Sequence, residues 1–179
     1  MRSVKESKGL KVGDKVKDFI GVDQNGESIQ LFKLLRKGKV VVVFYRGQWC
    51  PICMPHIKKL QNDFEYIKEK GASIVLITPE KQENIQKTIL KTNVTIPIIY
   101  DRDYKIMKDF DVHFVPGKGL RIMYNSILRA DLKNAQSDDT QTLPVPATFI
   151  IDKDTTIIWR HFYHDYKKRS KLKNILDHL

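Results

Sequence analysis

The chain has few cysteines, no long apolar run and only a modest share of chain-breaking residues. Two cysteines occur among 179 residues, against the several pairs that staple a small secreted domain. They are Cys50 and Cys53, and a bond between residues so close in sequence constrains the unfolded chain very little. Stapling is therefore a poor account of the pair, and chemistry a better one. No stretch approaches the ~18 apolar residues that a membrane helix needs. The most hydrophobic run, Val40 to Tyr45, is closed off by Lys39 and Arg46. Nine glycines and seven prolines exclude collagen-like and low-complexity classes. The N-terminal residues carry charge without the apolar run of a secretory signal, and a cytoplasmic protein is expected.

What is present is ordinary globular usage, 41% apolar and 30% charged, at a length typical of one domain. A single domain over residues 1–179 is expected, with the first ten residues as its flexible end. The net charge of +11 comes mainly from lysine, spread along the chain with mild enrichment at both ends. No basic block with interleaved aromatics appears, which argues against nucleic acid as the primary ligand.

Two short extended runs, 19–22 and 28–31, flank Gln24-Asn25-Gly26 and predict a hairpin. Residues 31–36 read as one helical turn. Residues 39–45 are apolar on both faces and rich in valine, the pattern of a central strand covered by helices on both sides. From Cys53 the apolar positions Ile57, Leu60, Phe64 and Ile67 recur at helical spacing, predicting one amphipathic helix that ends near Gly71. Pro51 suits its first helical position, where a missing N–H is no loss. Further strands are predicted at 72–78, 96–100, 147–151 and 156–162. Helices are predicted from Pro79 to Lys91 and over 101–111, 120–128 and 170–179. Residues 131–142 read as a long surface loop. The order is that of an α/β fold with a central mixed sheet flanked by helices.

A cysteine placed just after a buried strand and at the start of a helix meets unpaired N–H groups and the positive end of the helix dipole. Both favour thiolate over thiol. Cys50 has that placement and is the expected nucleophile. Cys53, one turn on and facing inward, is placed to resolve a mixed disulfide or sulfenic acid formed at Cys50. Arg46, four residues earlier, is a candidate source of positive charge. Trp49 is expected to shield the site and to offer a flat apolar surface to a partner. Cys50, Cys53 and His56 have a spacing compatible with zinc, but no second pair follows and the other histidines are scattered. Haem attachment needs a histidine directly after the second cysteine, where Met54 stands.

Residues 41–53, Val-Val-Val-Phe-Tyr-Arg-Gly-Gln-Trp-Cys-Pro-Ile-Cys, and 143–152, Leu-Pro-Val-Pro-Ala-Thr-Phe-Ile-Ile-Asp, resemble the thioredoxin-fold superfamily. Within it they resemble the peroxiredoxin-like branch of the alkyl hydroperoxide reductase and thiol-specific antioxidant family. The resemblance implies a thioredoxin-like fold with an N-terminal hairpin and a helical insertion. It also implies a cis bond between Val145 and Pro146 facing the cysteines, with Pro51 and Thr148 in supporting positions. The implied activity is a thiol oxidoreductase cycling between a Cys50/Cys53 dithiol and disulfide. Its substrate is a peroxide or a disulfide, and its reductant a thioredoxin-like or low-molecular-weight thiol. No prosthetic cofactor or metal is implied. One departure stands out: typical peroxidatic cysteines follow Pro-x-x-x-Thr/Ser-x-x-Cys, and the matching positions here are Val43 and Gly47. The rival reading is a redox-silent binding module that keeps the fold and docks a partner through Trp49 and the basic ends.

Overall fold

A computed structural model describes residues 2–179. After a 3-10 turn at Val4–Glu6 come β1 (Ile20–Val22), β2 (Ser28–Gln30), α1 (Leu31–Leu35), β3 (Val40–Phe44), α2 (Cys53–Asn62) and α3 (Phe64–Glu69). Then follow β4 (Ser73–Thr78), α4 (Gln82–Thr92), β5 (Ile98–Tyr100), α5 (Lys105–Asp109), β6 (His113–Phe114) and α6 (Lys118–Ile122). A π-helical turn, Met123–Ile127, leads to α7 (Leu132–Ala135), β7 (Leu143–Pro144), β8 (Ala147–Ile151), β9 (Ile157–Phe162) and α8 (Leu172–Leu176).

The main sheet has the order β5-β4-β3-β8-β9. Its first three strands run parallel, and β8 and β9 are antiparallel to their neighbours. Every residue of β3 is buried, because alternate side chains feed two separate cores. Val41 and Val43 pack with Ile57, Leu60, Ile67, Ile85 and Ile175, which come from α2, α3, α4 and α8. Val40, Val42 and Phe44 pack with Leu31, Leu35, Met107 and Phe110, on the α1 and α5 side. The result is a central sheet between two helical layers, as the doubly apolar strand pattern predicts. The hairpin is present as β1 paired with β2.

Several boundaries differ from the sequence reading. The helix expected to run from Cys53 to Gly71 breaks at Asp63, whose φ and ψ of -97° and 3° close one helix and open the next. Asn62 and Asp63 are both weak helix formers, with side chains that compete for backbone groups. Residues 101–104 form a loop rather than helix: Asp101 accepts from the Ile106 and Met107 N–H groups, at 3.1 and 2.8 Å, and so caps α5. The segment expected as surface loop, 131–142, holds α7 and buries Leu132, Ala135, Gln136, Gln141 and Thr142. Gln136 there donates to the Thr142 carbonyl at 2.9 Å, and the longest exposed run is 137–140. The N-terminal stretch expected to be flexible is tied along the fold. Ser7 is buried, Gly9 and Leu10 donate to Asp111 and Phe110, and the Arg2 carbonyl accepts from Val115.

Candidate active site

The chain leaves β3 through Arg46-Gly47-Gln48-Trp49 and turns at Cys50 into α2. The Cys50 carbonyl accepts from the N–H groups of Cys53 (3.1 Å) and Met54 (3.4 Å), so Cys50 sits directly ahead of the helix. Pro51 lies exposed in that turn and is not the first helical residue; α2 begins at Cys53. Pro55 falls in the first turn of α2, where an N–H has no helical partner to lose. Both cysteines are free and buried.

The two sulfurs lie in different electrostatic surroundings. Cys50 is pushed down to about 5, chiefly by a hydrogen bond from Cys53; burial opposes this, and the charges of Arg46 and Arg169 add to it. Arg46 Nη2 lies 3.8 Å from Cys50 Sγ, which settles the direction of a side chain that sequence alone leaves open. Cys53 is pushed well up by burial and by its bond to Cys50. Arg169, in the segment between β9 and α8, places Nη2 3.3 Å from Cys53 Sγ. Each sulfur of the pair therefore has its own guanidinium.

Arg46 is buried in a box of aromatic rings. Its guanidinium carbon lies 4.2 Å from the centroid of Tyr166, 5.3 Å from Tyr124 and 5.4 Å from Trp49, and Nη1 donates to Tyr124 Oη at 2.9 Å. Trp49 is only 7% exposed and packs on Tyr124 with ring centroids 5.0 Å apart. It does not present the free apolar surface that was expected, because its ring is spent on Tyr124 and Arg46.

Glu80 stands on the other side of this loop. It is fully buried, its Oε2 accepts from Gln48 N–H at 2.7 Å, and its Oε1 has no hydrogen-bond partner. Burial, opposed by the Gln48 N–H and by Lys87 and Lys91, pushes its carboxyl up to about 8. Gly47 explains the missing hydroxyl of the peroxidatic pattern. Its φ is 153°, and a Cβ there would lie 2.5 Å from the Glu80 carboxyl and 2.6 Å from Trp49 Nε1. That space belongs to Glu80 and Trp49.

Val145 and Pro146 are buried: Pro146 borders a small cleft with Cys53, and both border a larger cavity with Arg46. The bond between them is trans, against the implied cis bond. The Val145 N–H donates to the Val112 carbonyl at 2.7 Å, and Ala147 already pairs with Phe44, so an extended run serves both neighbours. Thr148 borders the same small cleft as Cys53, and its hydroxyl lies 2.9 Å from Ser170 Oγ. Ser170 in turn meets His56 Nε2 through its carbonyl and hydroxyl, at 3.2 and 3.3 Å. His56 is pushed down to about 4 by burial first and the Arg169 charge second. Among the described residues no cluster of three His, Cys, Asp or Glu is arranged to hold a metal ion.

Sequence reasoning missed Arg169, Glu80, Tyr124 and Tyr166. Arg169 hides in Lys167-Lys168-Arg169, which reads as solvated charge. Glu80 follows Pro79 and reads as the first turn of a helix, although α4 starts only at Gln82. A charged residue two positions after the end of a mostly apolar strand was the one available signal for Glu80.

The sequence profile of the AhpC/TSA family matches residues 12–160. The chain belongs to that family. A thiol-disulfide oxidoreductase ResA of Halalkalibacterium halodurans is 28% identical over 110 residues, 59% of this chain and 60% of the relative. A ResA of Bacillus subtilis is 28% identical over 105 residues, 58% of each chain. The chain thus spans about three-fifths of the length of these curated relatives. Among solved structures, the peroxidoxin BcpB of Mycobacterium tuberculosis superimposes with a TM-score of 0.70 at 23% identity, covering 94% of this chain and 95% of its own. At those identities the structural likeness speaks for the fold: this AhpC/TSA chain is a thioredoxin-like domain of peroxiredoxin shape.

Proposed function

We propose that the protein is a thiol-dependent oxidoreductase in which Cys50 attacks and Cys53 resolves. The observation that carries this reading is the free CxxC pair at the mouth of α2 with one guanidinium on each sulfur. With a peroxide, the Cys50 thiolate attacks one oxygen, the O–O bond breaks, and water or an alcohol leaves after taking up a proton. Cys50 is left as a sulfenic acid. Cys53 then attacks that sulfur, water leaves, and the Cys50–Cys53 disulfide forms. An external dithiol, thioredoxin-like or of low molecular weight, returns the pair to the reduced state and is itself oxidised. Family membership and the relatives named as thiol-disulfide oxidoreductases support this chemistry. No prosthetic group is needed for any step. A cytoplasmic setting suits a pair kept in its dithiol form by cellular thiols.

Within the class, burial favours a small oxidant. Cys50 has no exposed surface, which suits a diffusing peroxide better than a folded protein disulfide. The absent hydroxyl at position 47 leaves Arg46 as the group to orient it. The binding-module alternative is not favoured, because its docking residue Trp49 is buried. In the test, Cys50→Ser abolishes turnover, and Cys53→Ser accumulates the sulfenic acid or mixed disulfide, read by mass spectrometry. Full activity in Cys50→Ser would remove the mechanism. Stopped-flow oxidation by hydrogen peroxide beside a model disulfide ranks the two substrates. A peroxide rate no faster than that of a free thiol would hand the site to disulfides.

A further inference from the structure

Residues 165–170 follow β9 and lie across the cysteine pair. Lys167 and Lys168 close a turn by donating to Asp165, to Oδ1 at 3.0 Å and to the carbonyl at 3.1 Å. Tyr166 covers the Arg46 guanidinium. Ser170 anchors the far end on Thr148 and His56. Between these fixed points Arg169 reaches Cys53 Sγ. Lys168 is directed elsewhere, with Nζ 4.9 Å from the Tyr163 ring centroid.

The surroundings also tell the two sulfurs apart. Cys53 borders a cleft of about 10 Å³, shared with His56, His161, Lys168 and Arg169, no more than one water would occupy. Arg46, which holds Cys50, borders a cavity of about 140 Å³. The Cys53 side leaves no room for an incoming thiol, so attack falls on Cys50.

We propose that Arg169 is the counter-ion for Cys53 as leaving group, stabilising the electron pair that Cys53 Sγ receives when the Cys50–Cys53 disulfide is opened. The inference rests on the proposed cycle. A reductant thiolate attacks Cys50 Sγ, a reductant–Cys50 bond forms, the Cys50–Cys53 bond breaks, and Cys53 leaves as thiolate against the guanidinium. A second thiolate of the reductant then displaces Cys50, so the reductant ends as a disulfide and the enzyme as a dithiol that takes up protons from water. Exchange is faster when the leaving thiol is more acidic, and burial works against acidity at Cys53. The same contact serves the reverse step, in which the Cys53 thiolate closes the disulfide.

The test compares the full-length oxidised protein with its Arg169→Met and Arg169→Lys variants. Each is reduced by dithiothreitol across about pH 6–9 and followed by quenching, alkylation and mass spectrometry. Loss of the charge-assisted contact predicts reduction slowed by about tenfold or more in Arg169→Met. Most of the rate returns in Arg169→Lys, and the slowed variant keeps a parental thermal unfolding curve. Alkylation of reduced Cys50 at pH 8, where it is already thiolate, stays at the parental rate. Reduction of a folded Arg169→Met within twofold of the parent overturns the proposal, as does a lysine variant no faster than methionine. Should the parent fail to lose two hydrogens on oxidation, the Cys50–Cys53 cycle itself falls and takes this inference with it.

Discussion

A guanidinium buried at position 46 loses most of its hydration, and the adjoining sulfur and the Tyr124 hydroxyl replace it. Burial alone would lower the pKa of Arg46, yet with Cys50 beside it the balance moves upward. The same pairing read from the sulfur side is what Arg46→Met removes. Its alkylation–pH profile should show the Cys50 midpoint displaced upward from about 5, and an unmoved midpoint would show that Cys53 and Arg169 hold the thiolate without Arg46. Glu80 supplies the opposite case, a carboxyl kept protonated at neutral pH. Its folded value of about 8 lies above the ordinary 4.5, so the native state holds the extra proton between those values. Stability from this residue is complete below the ordinary value and is lost as pH rises through about 8, at up to about 1.4 kcal/mol per pH unit. Cys50 works with the reverse sign: its folded value is depressed, and its contribution is present above the ordinary 9.0 and lost as pH falls through about 5. The parental curve mixes the two, so the decisive quantity is a difference. Urea unfolding of Glu80→Gln minus that of the parent should rise from about pH 6 to 9, and a flat difference would mean that Glu80 ionises without penalty.

At the scale of elements, what could be read in advance follows from period. β3, β4 and β8 are apolar on both faces, and a strand buried twice leaves an unbroken run that no solvated element copies. The Cys50–Cys53 pair was legible for a related reason, since its chemistry depends on the strand-to-helix junction that those patterns locate. Short helices were less legible. The break at Asp63 and the late start of α4 are matters of one or two residues, and the cap on α5 comes from two bonds to the Asp101 side chain; periodicity encodes none of these. The π-helical turn that carries Tyr124 to Arg46, and the 165–170 segment that carries Arg169 to Cys53, depend on contacts more than 70 residues apart in sequence. One junction permits a sharp test. Gly38 leads into β3 against the turn before β4, and a Cβ there would collide with the Gly71 carbonyl oxygen. That obstacle is backbone and cannot rotate aside. Gly38→Ala should therefore lose about 1–3 kcal/mol, seen as a lower urea midpoint at unchanged slope. A parental midpoint would mean that the β3–β4 pairing shifts freely, contrary to its unbroken register from Val40–Ser73 to Phe44–Ile77.

For the whole molecule, charge is the property that the fold does least to resolve. With 32 basic and 21 acidic side chains, eleven cations have no carboxylate to meet even if every acid found a partner. Glu80 reduces the acidic side further, because burial keeps it neutral at pH 7. Lysine ion pairs such as Lys15–Asp154 at 2.8 Å and Lys17–Asp109 at 2.9 Å lie at the surface with the lysine exposed and contribute little each. Like-charge repulsion across the compact state should then dominate the response to salt. The Debye length falls from about 30 Å at 0.01 M to about 8 Å at 0.15 M ionic strength, which removes repulsion across the molecule while leaving the buried Arg46–Cys50 contact largely unscreened. Thermal unfolding in sodium chloride over that range should move to higher temperature, by about 2–4 °C for each kcal/mol of repulsion relieved. The Cys50 alkylation midpoint should hold its place over the same range. A midpoint that climbs with salt would show that the thiolate depends on the general positive field of the surface, and would take from Arg46 the role its geometry gives it.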